Sequence, residues 1–255
     1  MKKLLVILIM LLVKVSLAQE RKPVIRTSLF SIRMNAGGDA WSYRAEGSAN
    51  DLVFKVPVFE IDGRQMTAQT GDFSPGPVIL LGNGTKEQVL RGNLNEDPTL
   101  QLAVCFRWAE DNPMLRFRYT LSSSTAHHFS KTSGRGHLEY YSVSLASQDQ
   151  FREIRLSDFN QKIHATCLEE MPVEEKDFED STSLMGPLLE ARDGRFSYVL
   201  AYEHGSQYPD RYLEFSLRPD RSVTLRAVKG NYLNGQPLNR NHDYETIWFE
   251  AGGIA

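Results

Sequence analysis

The sequence predicts an all-β protein, a large antiparallel β-sandwich (a supersandwich) of two packed sheets with little helix. Short apolar or alternating segments recur along the chain, and turn residues separate them. Helical segments do not alternate with these strands, as a parallel βαβ sheet would require. Antiparallel hairpins are therefore the favoured arrangement.

The first strands can be placed from local pattern. Residues 52–59 are rich in β-forming side chains, and Gly63 supplies the left-handed conformation of the turn that follows. Residues 100–108 are largely apolar, whereas residues 115–121 alternate strictly between apolar and polar. The Asn112-Pro113 break between these two segments predicts a hairpin.

The second half of the chain continues the same pattern. The further predicted strands are residues 138–145, 196–202, 212–217, 222–228 and 244–249. Two segments of the chain do not have this strand pattern. Residues 83–97 are polar and predict a long loop, and residues 169–178 have the composition of a short helix that Pro172 weakens.

The N-terminus has the pattern of an export signal. Lys2 and Lys3 form a positive region, residues 4–13 are apolar, and Ser16-Leu17-Ala18 ends in a small residue. We expect residues 1–18 to be a signal peptide cleaved after Ala18, and residues 19–255 to form the sandwich domain. A membrane anchor would need about 20 apolar residues, so the protein is expected to be periplasmic or extracellular.

Composition limits the partners of the mature chain. Charged residues make up 24% and apolar residues 41%, as in a soluble globular domain. The formal net charge of −3 becomes −6 once Lys2, Lys3 and Lys14 leave with the leader. No basic stripe remains, so nucleic acid is not an expected partner, and no later segment is long enough to span a membrane.

The two cysteines allow two interpretations. Cys105 and Cys167 could form one disulfide in an oxidising compartment. They could equally be two buried free thiols, because Cys105 lies in an apolar strand where a thiol packs as a small hydrophobe. The sequence leaves both open.

The histidine pattern does not predict a metal site. The six histidines are His127, His128, His137, His164, His204 and His242. Zinc sites need ligands at short, defined spacings, but His127 and His128 are adjacent and would point to opposite faces of a strand. We interpret this pair as part of a surface loop and expect no metal or cofactor.

Carboxylates are plentiful in one segment, although a catalytic role is not the favoured interpretation. Glycosidases place two carboxylates about 5–10 Å apart across a sugar. A dense acidic run is more often a solvated loop. The run comprises Glu169, Glu170, Glu174, Glu175, Asp177, Glu179 and Asp180.

One tryptophan is a candidate for contact with a sugar. Trp41 follows Gly37-Gly38-Asp39, and this setting predicts an exposed indole that could stack on a ligand. Trp108 and Trp248 lie in strand patterns and are expected in the core. Trp41 is therefore the substrate-binding candidate, and the sequence offers no catalytic candidate.

Several segments together resemble a known family. They are residues 138–142, 183–187, 200–207, 227–232 and 245–249, with a weaker match at Asp72-Phe73. These segments resemble the N-terminal β-sandwich of bacterial α-galactosidases in glycoside hydrolase family 36. The resemblance covers most of the mature chain and is strongest after His137.

The resemblance implies a sandwich packed on a following (β/α)₈ barrel. Such enzymes are retaining hydrolases of terminal α-galactosyl groups, with one carboxylate as nucleophile and another as acid and base. In the family both carboxylates belong to the barrel, which needs about 250 further residues. The sandwich would end at Ala255, where the barrel would begin, so no catalytic residue can be assigned.

Three hypotheses follow. The first is the N-terminal, non-catalytic part of an exported α-galactosidase-like hydrolase, which would meet α-galactosides through the barrel and allow a homo-oligomer. The second is a free-standing carbohydrate-binding or surface-interaction module. The third, least favoured, is an independent hydrolase that uses the acidic run.

Overall fold

The structure, a computed structural model, describes residues 23–130, 138–144, 150–156, 161–165, 167–184, 186–203, 213–227 and 235–255. Two large antiparallel sheets pack face to face in this part of the chain. The predicted all-β sandwich is thereby confirmed.

The first sheet contains ten strands of the described chain, eight of them in one continuous order. In that order they are β1 (Ile25–Arg26), β2 (Phe30–Met34), β3 (Ala40–Ala45), β4 (Leu52–Lys55), β13 (Leu138–Ser144), β20 (Ser222–Ala227), β19 (Leu213–Leu217) and β16 (Ser183–Leu184). Off this path, β5 (Val58–Ile61) pairs with both β13 and β6 (Arg64–Thr67).

The second sheet contains eleven described strands. Its main order is β15 (Leu168–Val173), β14 (Gln150–Leu156), β17 (Leu188–Asp193), β18 (Phe196–Tyr202), β23 (Phe249–Ile254), β11 (Leu115–Ser123), β10 (Leu100–Trp108), β9 (Lys86–Asn93) and β7 (Ser74–Pro75). Two short strands join it at the sides, β8 (Ile79–Leu80) on β9 and β22 (Tyr244–Glu245) on β11. A separate pair is formed by β12 (His127–His128) and β21 (Pro237–Leu238), and one short helix is α1 (Glu175–Glu179).

The β10–β11 hairpin confirms the predicted pairing. Its register runs without interruption from Leu100 opposite Ser123 to Trp108 opposite Leu115. Burial alternates along β11, so every second side chain enters the core, as the alternating pattern indicates. The connection spans residues 109–114 and is longer than the Asn112-Pro113 break alone.

An aromatic cluster joins the two sheets at their centre. The Trp41 indole of β3 stacks on Phe54 with ring centroids 4.2 Å apart. It meets Phe106 and Phe117 of the opposite sheet edge-on, at 5.1 and 4.8 Å. Its Nε1–H donates a hydrogen bond of 3.0 Å to the Tyr119 hydroxyl across the sandwich. Burial raises the pKa of Tyr119, which keeps that hydroxyl neutral.

The expected exposure of Trp41 is therefore wrong. The indole has no exposed surface, because β3 is an inner strand and position 41 points to the core face. An indole with both faces packed and its N–H bonded internally offers nothing for a sugar to stack on. Trp108 is buried, as expected.

Trp248 differs from its expected core position. It is half-buried and lies in a bulge, because the three residues 246–248 are opposite only two residues of β11, 118 and 119. Phe249 points into the core, so Trp248 is turned to the outer face of the sheet. The guanidinium carbons of Arg107, Arg116 and Arg118 lie 4.4, 5.2 and 4.7 Å from its ring centroid.

Three segment predictions need correction. The polar segment 83–97 contains β9, because Gln88, Leu90 and Gly92 alternate inward. In the segment 169–178, the predicted short helix is present only from Glu175, and residues 169–173 belong to β15 instead. The predicted strand 244–249 is interrupted at residues 246–248, where the extra residue lies.

The cysteines do not form a disulfide: Cys105 is buried and Cys167 is exposed. Burial raises the pKa of the Cys105 thiol to about 12, so it stays protonated. The predicted leader with its cleavage site at Ala18 lies outside the described residues. Within the described ranges, no helix is long and apolar enough to cross a membrane.

The hydrogen bond between Trp41 and Tyr119 can be tested by a double-mutant cycle. Trp41→Phe should lower the free energy of unfolding by about 2–4 kcal/mol, because it leaves a void and a buried hydroxyl without its donor. Tyr119→Phe should cost less, and the double variant should cost less than the sum by about 1 kcal/mol. Chemical denaturation measures all three, and strict additivity would contradict a cross-sheet hydrogen bond.

Candidate functional site

A polar groove of about 590 Å³ lies at the β9 side of the second sheet. It is bounded by the segment before β7, the end of β9, the start of β10 and the loop between β9 and β10. Its lining residues are Gly71, Asp72, Ser74, Arg91, Gly92, Asn93, Leu94, Asn95, Pro98 and Gln101. Polar side chains outnumber apolar ones in this set.

Two glycines allow the segment that forms one side of the groove to pack closely. Gly92 lies in β9, and a Cβ there would be 2.5 Å from the Asp72 carbonyl oxygen. Gly38 has φ +64°, and a Cβ there would be 1.7 Å from the Thr70 carbonyl oxygen. Thr70 therefore lies between two positions where only glycine fits. Its N–H also donates to the Gly38 carbonyl at 3.2 Å.

Asp72 and Phe73 are adjacent, but their side chains point in opposite directions, one to the groove and the other to the core. Phe73 is buried and belongs to the core cluster, whereas Asp72 is exposed and lines the groove. The apolar ring fixes the segment, so the neighbouring carboxylate is held at the groove surface. Ser74 then pairs with Arg91 of β9.

The loop of residues 94–99 forms the opposite wall of the groove. Leu94 N–H donates to the Leu100 carbonyl at 2.9 Å, and Asn95 N–H donates to the Gln69 carbonyl at 2.9 Å. Asp97 closes the turn by accepting from the Thr99 backbone N–H at 3.0 Å and from its hydroxyl at 2.6 Å. The hydroxyl hydrogen bond from Thr99 is the main cause of a lowered pKa at Asp97.

The side chains of the groove suit a neutral ligand rich in hydroxyl groups. Carboxylate, guanidinium, amide and hydroxyl groups can each donate to or accept from sugar hydroxyls. Glycoside hydrolysis, by contrast, needs two carboxylates on either side of the bond that breaks. Among the described residues that line the groove, Asp72 is the single carboxylate. The described lining residues therefore offer hydrogen-bonding groups but do not include such a pair.

The acidic run is mostly solvent-exposed, and three of its seven carboxylates pair with arginine. Glu170 lies 2.9 Å from Arg152, Glu169 lies 3.8 Å from Arg155, and Glu175 pairs with Arg221. Their structure is a strand and a short helix rather than the expected loop, but their solvation agrees with the favoured interpretation.

The histidines are placed differently from the expectation. His127 and His128 form β12, not a loop; His127 is buried and His128 exposed, so they do point to opposite faces. His137 and His204 lie outside the described residues. Within the described part of the chain, no group of three or more His, Cys, Asp or Glu residues could hold a metal ion.

Sequence reasoning missed most of the groove. It singled out Asp72-Phe73 but assigned residues 83–97 to a loop, and so overlooked Arg91 and Asn93. The signal that could have found them is the alternation of Gln88, Leu90 and Gly92, in which a glycine takes the place of an apolar residue. Of the segments that carry the family resemblance, residues 204–207 and 228–232 and Met185 lie outside the described residues.

Replacing Gly92 should damage the groove selectively. Gly92→Ala forces a methyl group against backbone at Asp72, so we expect a loss of about 1–3 kcal/mol in the free energy of unfolding. Gly82→Ala is the matched control, because nothing lies within 4 Å of its Cβ, and it should change stability by less than about 0.5 kcal/mol. Equal effects in denaturation experiments would contradict the close packing at Gly92.

The Asp97 turn should give a defined dependence of stability on pH. Because the pKa of Asp97 is lower in the folded state, its contribution is complete above the unfolded-state pKa of about 4 and is lost as pH falls through the folded value. Asp97→Asn should therefore be less stable than the parent at pH 7, and the difference should shrink below about pH 4. A difference independent of pH, measured by denaturation across this range, would contradict it.

Comparisons with known proteins agree on the fold. No family model matches the sequence, and no curated protein matches it in a sequence search. Solved structures do match. A family 36 α-galactosidase from Geobacillus stearothermophilus, solved in complex with raffinose, superposes with a TM-score of 0.56 at 7% identity, over 90% of this chain and 40% of that enzyme.

Two further solved structures, one of them not an α-galactosidase, match this chain to a similar extent. The α-galactosidase from Lactobacillus brevis matches with a TM-score of 0.54 at 9% identity, over 91% of this chain and 39% of its own. An α-mannosidase from Enterococcus faecalis matches with a TM-score of 0.51 at 7% identity, over 92% and 30%. This chain thus spans about 40% of the length of the α-galactosidases it matches. The resemblance to family 36 is confirmed at the level of the fold, which is that of one portion of these glycoside hydrolases.

Proposed function

We propose that this chain is the non-catalytic, N-terminal β-sandwich of an exported α-galactosidase-like glycoside hydrolase. The observation that favours this role most is the coverage: 90% of the chain corresponds to only 40% of a family 36 enzyme. Both carboxylates for hydrolysis would come from outside the sandwich. The family's activity, hydrolysis of terminal α-galactosyl groups, would belong to the assembled enzyme.

The groove supports a specific contribution of the sandwich. Its polar side chains fit sugar hydroxyls, and the one carboxylate among its described lining residues fits binding better than hydrolysis. We place it at the rim of the sugar pocket, where Asp72 and Asn93 would contact the ligand while the catalytic part acts on it. The remaining surface of the sandwich would brace that catalytic part and offer subunit contacts.

Export is part of the proposal and is based on the leader pattern of residues 1–18 alone. Cleavage after Ala18 would place the protein in the periplasm or outside the cell. Mass spectrometry of the secreted protein checks this: a mature N-terminus at Gln19 is expected, and an intact Met1 would contradict it.

The second candidate function is a free-standing carbohydrate-binding module, which the groove also favours. Trp41 no longer supports it, because the indole is buried, so any binding would depend on the groove side chains instead. The two candidate functions predict different affinities of the isolated chain for a sugar. A binding module must hold a sugar unaided, whereas a pocket rim gains most of its affinity from its catalytic partner.

Activity and binding assays of the purified chain separate these candidates. We expect no turnover of an aryl α-galactoside above background, and weak binding of raffinose in the millimolar range that Asp72→Asn abolishes. Asp243→Asn changes an exposed carboxylate that is not among the residues lining the groove; it is the control and should bind as the parent does. Turnover that survives removal of contaminants would overturn the proposal, and micromolar binding would favour the free-standing module.

A further inference from the structure

His127 lies buried behind the groove and is fixed on one side by Asp62. Its Nδ1–H donates to Asp62 Oδ2 at 2.6 Å, and Asp62 Oδ1 accepts the backbone N–H of His128 at 2.9 Å. Burial opposes ionisation of this carboxyl, but the hydrogen bonds from His127 and His128 outweigh it and lower the pKa of Asp62. The ionised Asp62 carboxylate therefore holds the ring in place through Nδ1.

The other ring nitrogen holds the loop that walls the groove. Nε2 lies 3.0 Å from Thr99 Oγ1 and 2.9 Å from Thr125 Oγ1. The Thr125 hydroxyl also donates to Thr99 Oγ1 at 3.1 Å, and the Thr99 hydroxyl donates to Asp97 at 2.6 Å, so that Nε2, Thr125 and Thr99 form one polar cluster at this wall. Asp97 Oδ2 itself lies 3.9 Å from Nε2. The imidazole thus contacts the Asp97–Thr99 turn from behind.

The front of the same turn faces the groove. Pro98 lies between the two residues that meet His127, and it lines the groove together with Leu94 and Asn95. The turn is closed by the Leu100 N–H, which donates to the Asp97 carbonyl at 3.0 Å. A displacement of Thr99 at the back would therefore move Pro98 at the front.

We infer that His127 is a positioning residue for the groove: its two ring nitrogens tie the 94–99 wall to the β5–β6 turn and so preset the width of the binding site. The ring bridges parts of the chain that are distant in sequence, since Asp62, Thr99 and Thr125 come from three different connections. The inference deepens the proposed role of the groove, but its structural test does not depend on any sugar.

Two variants separate the two ends of the ring. The side-chain amide of Asn reaches the position of Nδ1 and can still donate to Asp62, whereas that of Gln reaches the position of Nε2. We expect His127→Asn to speed amide hydrogen exchange of Asn95 and Leu100 about tenfold, because the contact with the wall is lost. His127→Gln should instead leave these two amides nearly unchanged and speed exchange of the His128 amide.

The exchange experiment includes a control amide, a control variant and a substitute variant. The Val104 amide, in the middle of the sheet, reports global unfolding, and the exposed neighbour His128→Asn is the matched control that should leave Asn95 and Leu100 unchanged. Should His127→Asn fail to fold, Thr99→Val removes the same contact from the other side and should speed the same two amides. The positioning role would be overturned if the exchange of the Asn95, Leu100 and Val104 amides accelerated together. It would also be overturned if none of these amides exchanged faster in His127→Asn or Thr99→Val.

Binding provides a second readout. His127→Asn should weaken raffinose binding several-fold, while His127→Gln should bind nearly as the parent does. Failure of the parent protein to bind raffinose would contradict the proposed function alone, because the exchange pattern would still report the wall. Equal binding by the parent and His127→Asn, with binding present, would overturn the inference.

Discussion

The hydrogen bond from Trp41 to Tyr119 and the aromatic rings around it hold the two sheets in one arrangement. A buried N–H and a buried hydroxyl satisfy each other across the sandwich at 3.0 Å, and either without the other would cost free energy. This contact fixes β3 opposite β11 with little freedom to slide. The position of β10, which pairs with β11, and of β9, which pairs with β10, is then defined.

The groove depends on that placement and on two glycines at the side of the sheet. Where β9 would otherwise project a side chain, Gly92 lets the 70–72 segment lie against the strand, and Phe73 anchors it in the core. Asp72 is consequently presented at the surface. The opposite wall is held by hydrogen bonds from its own backbone and by the buried imidazole of His127. Both walls are thus set by buried contacts, although the groove itself is open.

The sequence predicts the sandwich well because strand periodicity is a local property. The alternation of residues 115–121 and the turn signals around residues 196–202 correspond to β11 and β18. It predicts the site poorly, because burial of Trp41 and of His127 depends on which strands become neighbours. A tryptophan that follows a glycine-rich turn has the same local sequence pattern whether a second sheet or solvent covers it. The groove likewise combines residues 71–74 with residues 91–101, whose proximity no local pattern reveals.

We propose that this chain is a sugar-contacting scaffold of a hydrolase whose catalytic groups lie outside it. The most direct measurement is a titration of the isotope-labelled protein with raffinose, followed by nuclear magnetic resonance, which reports contact and cleavage in one sample. The account predicts chemical-shift changes confined to Asp72, Asn93, Asn95 and their neighbours, with raffinose left intact. Changes centred on the acidic run at Glu169–Asp180, no changes at any sugar concentration, or release of galactose would contradict it.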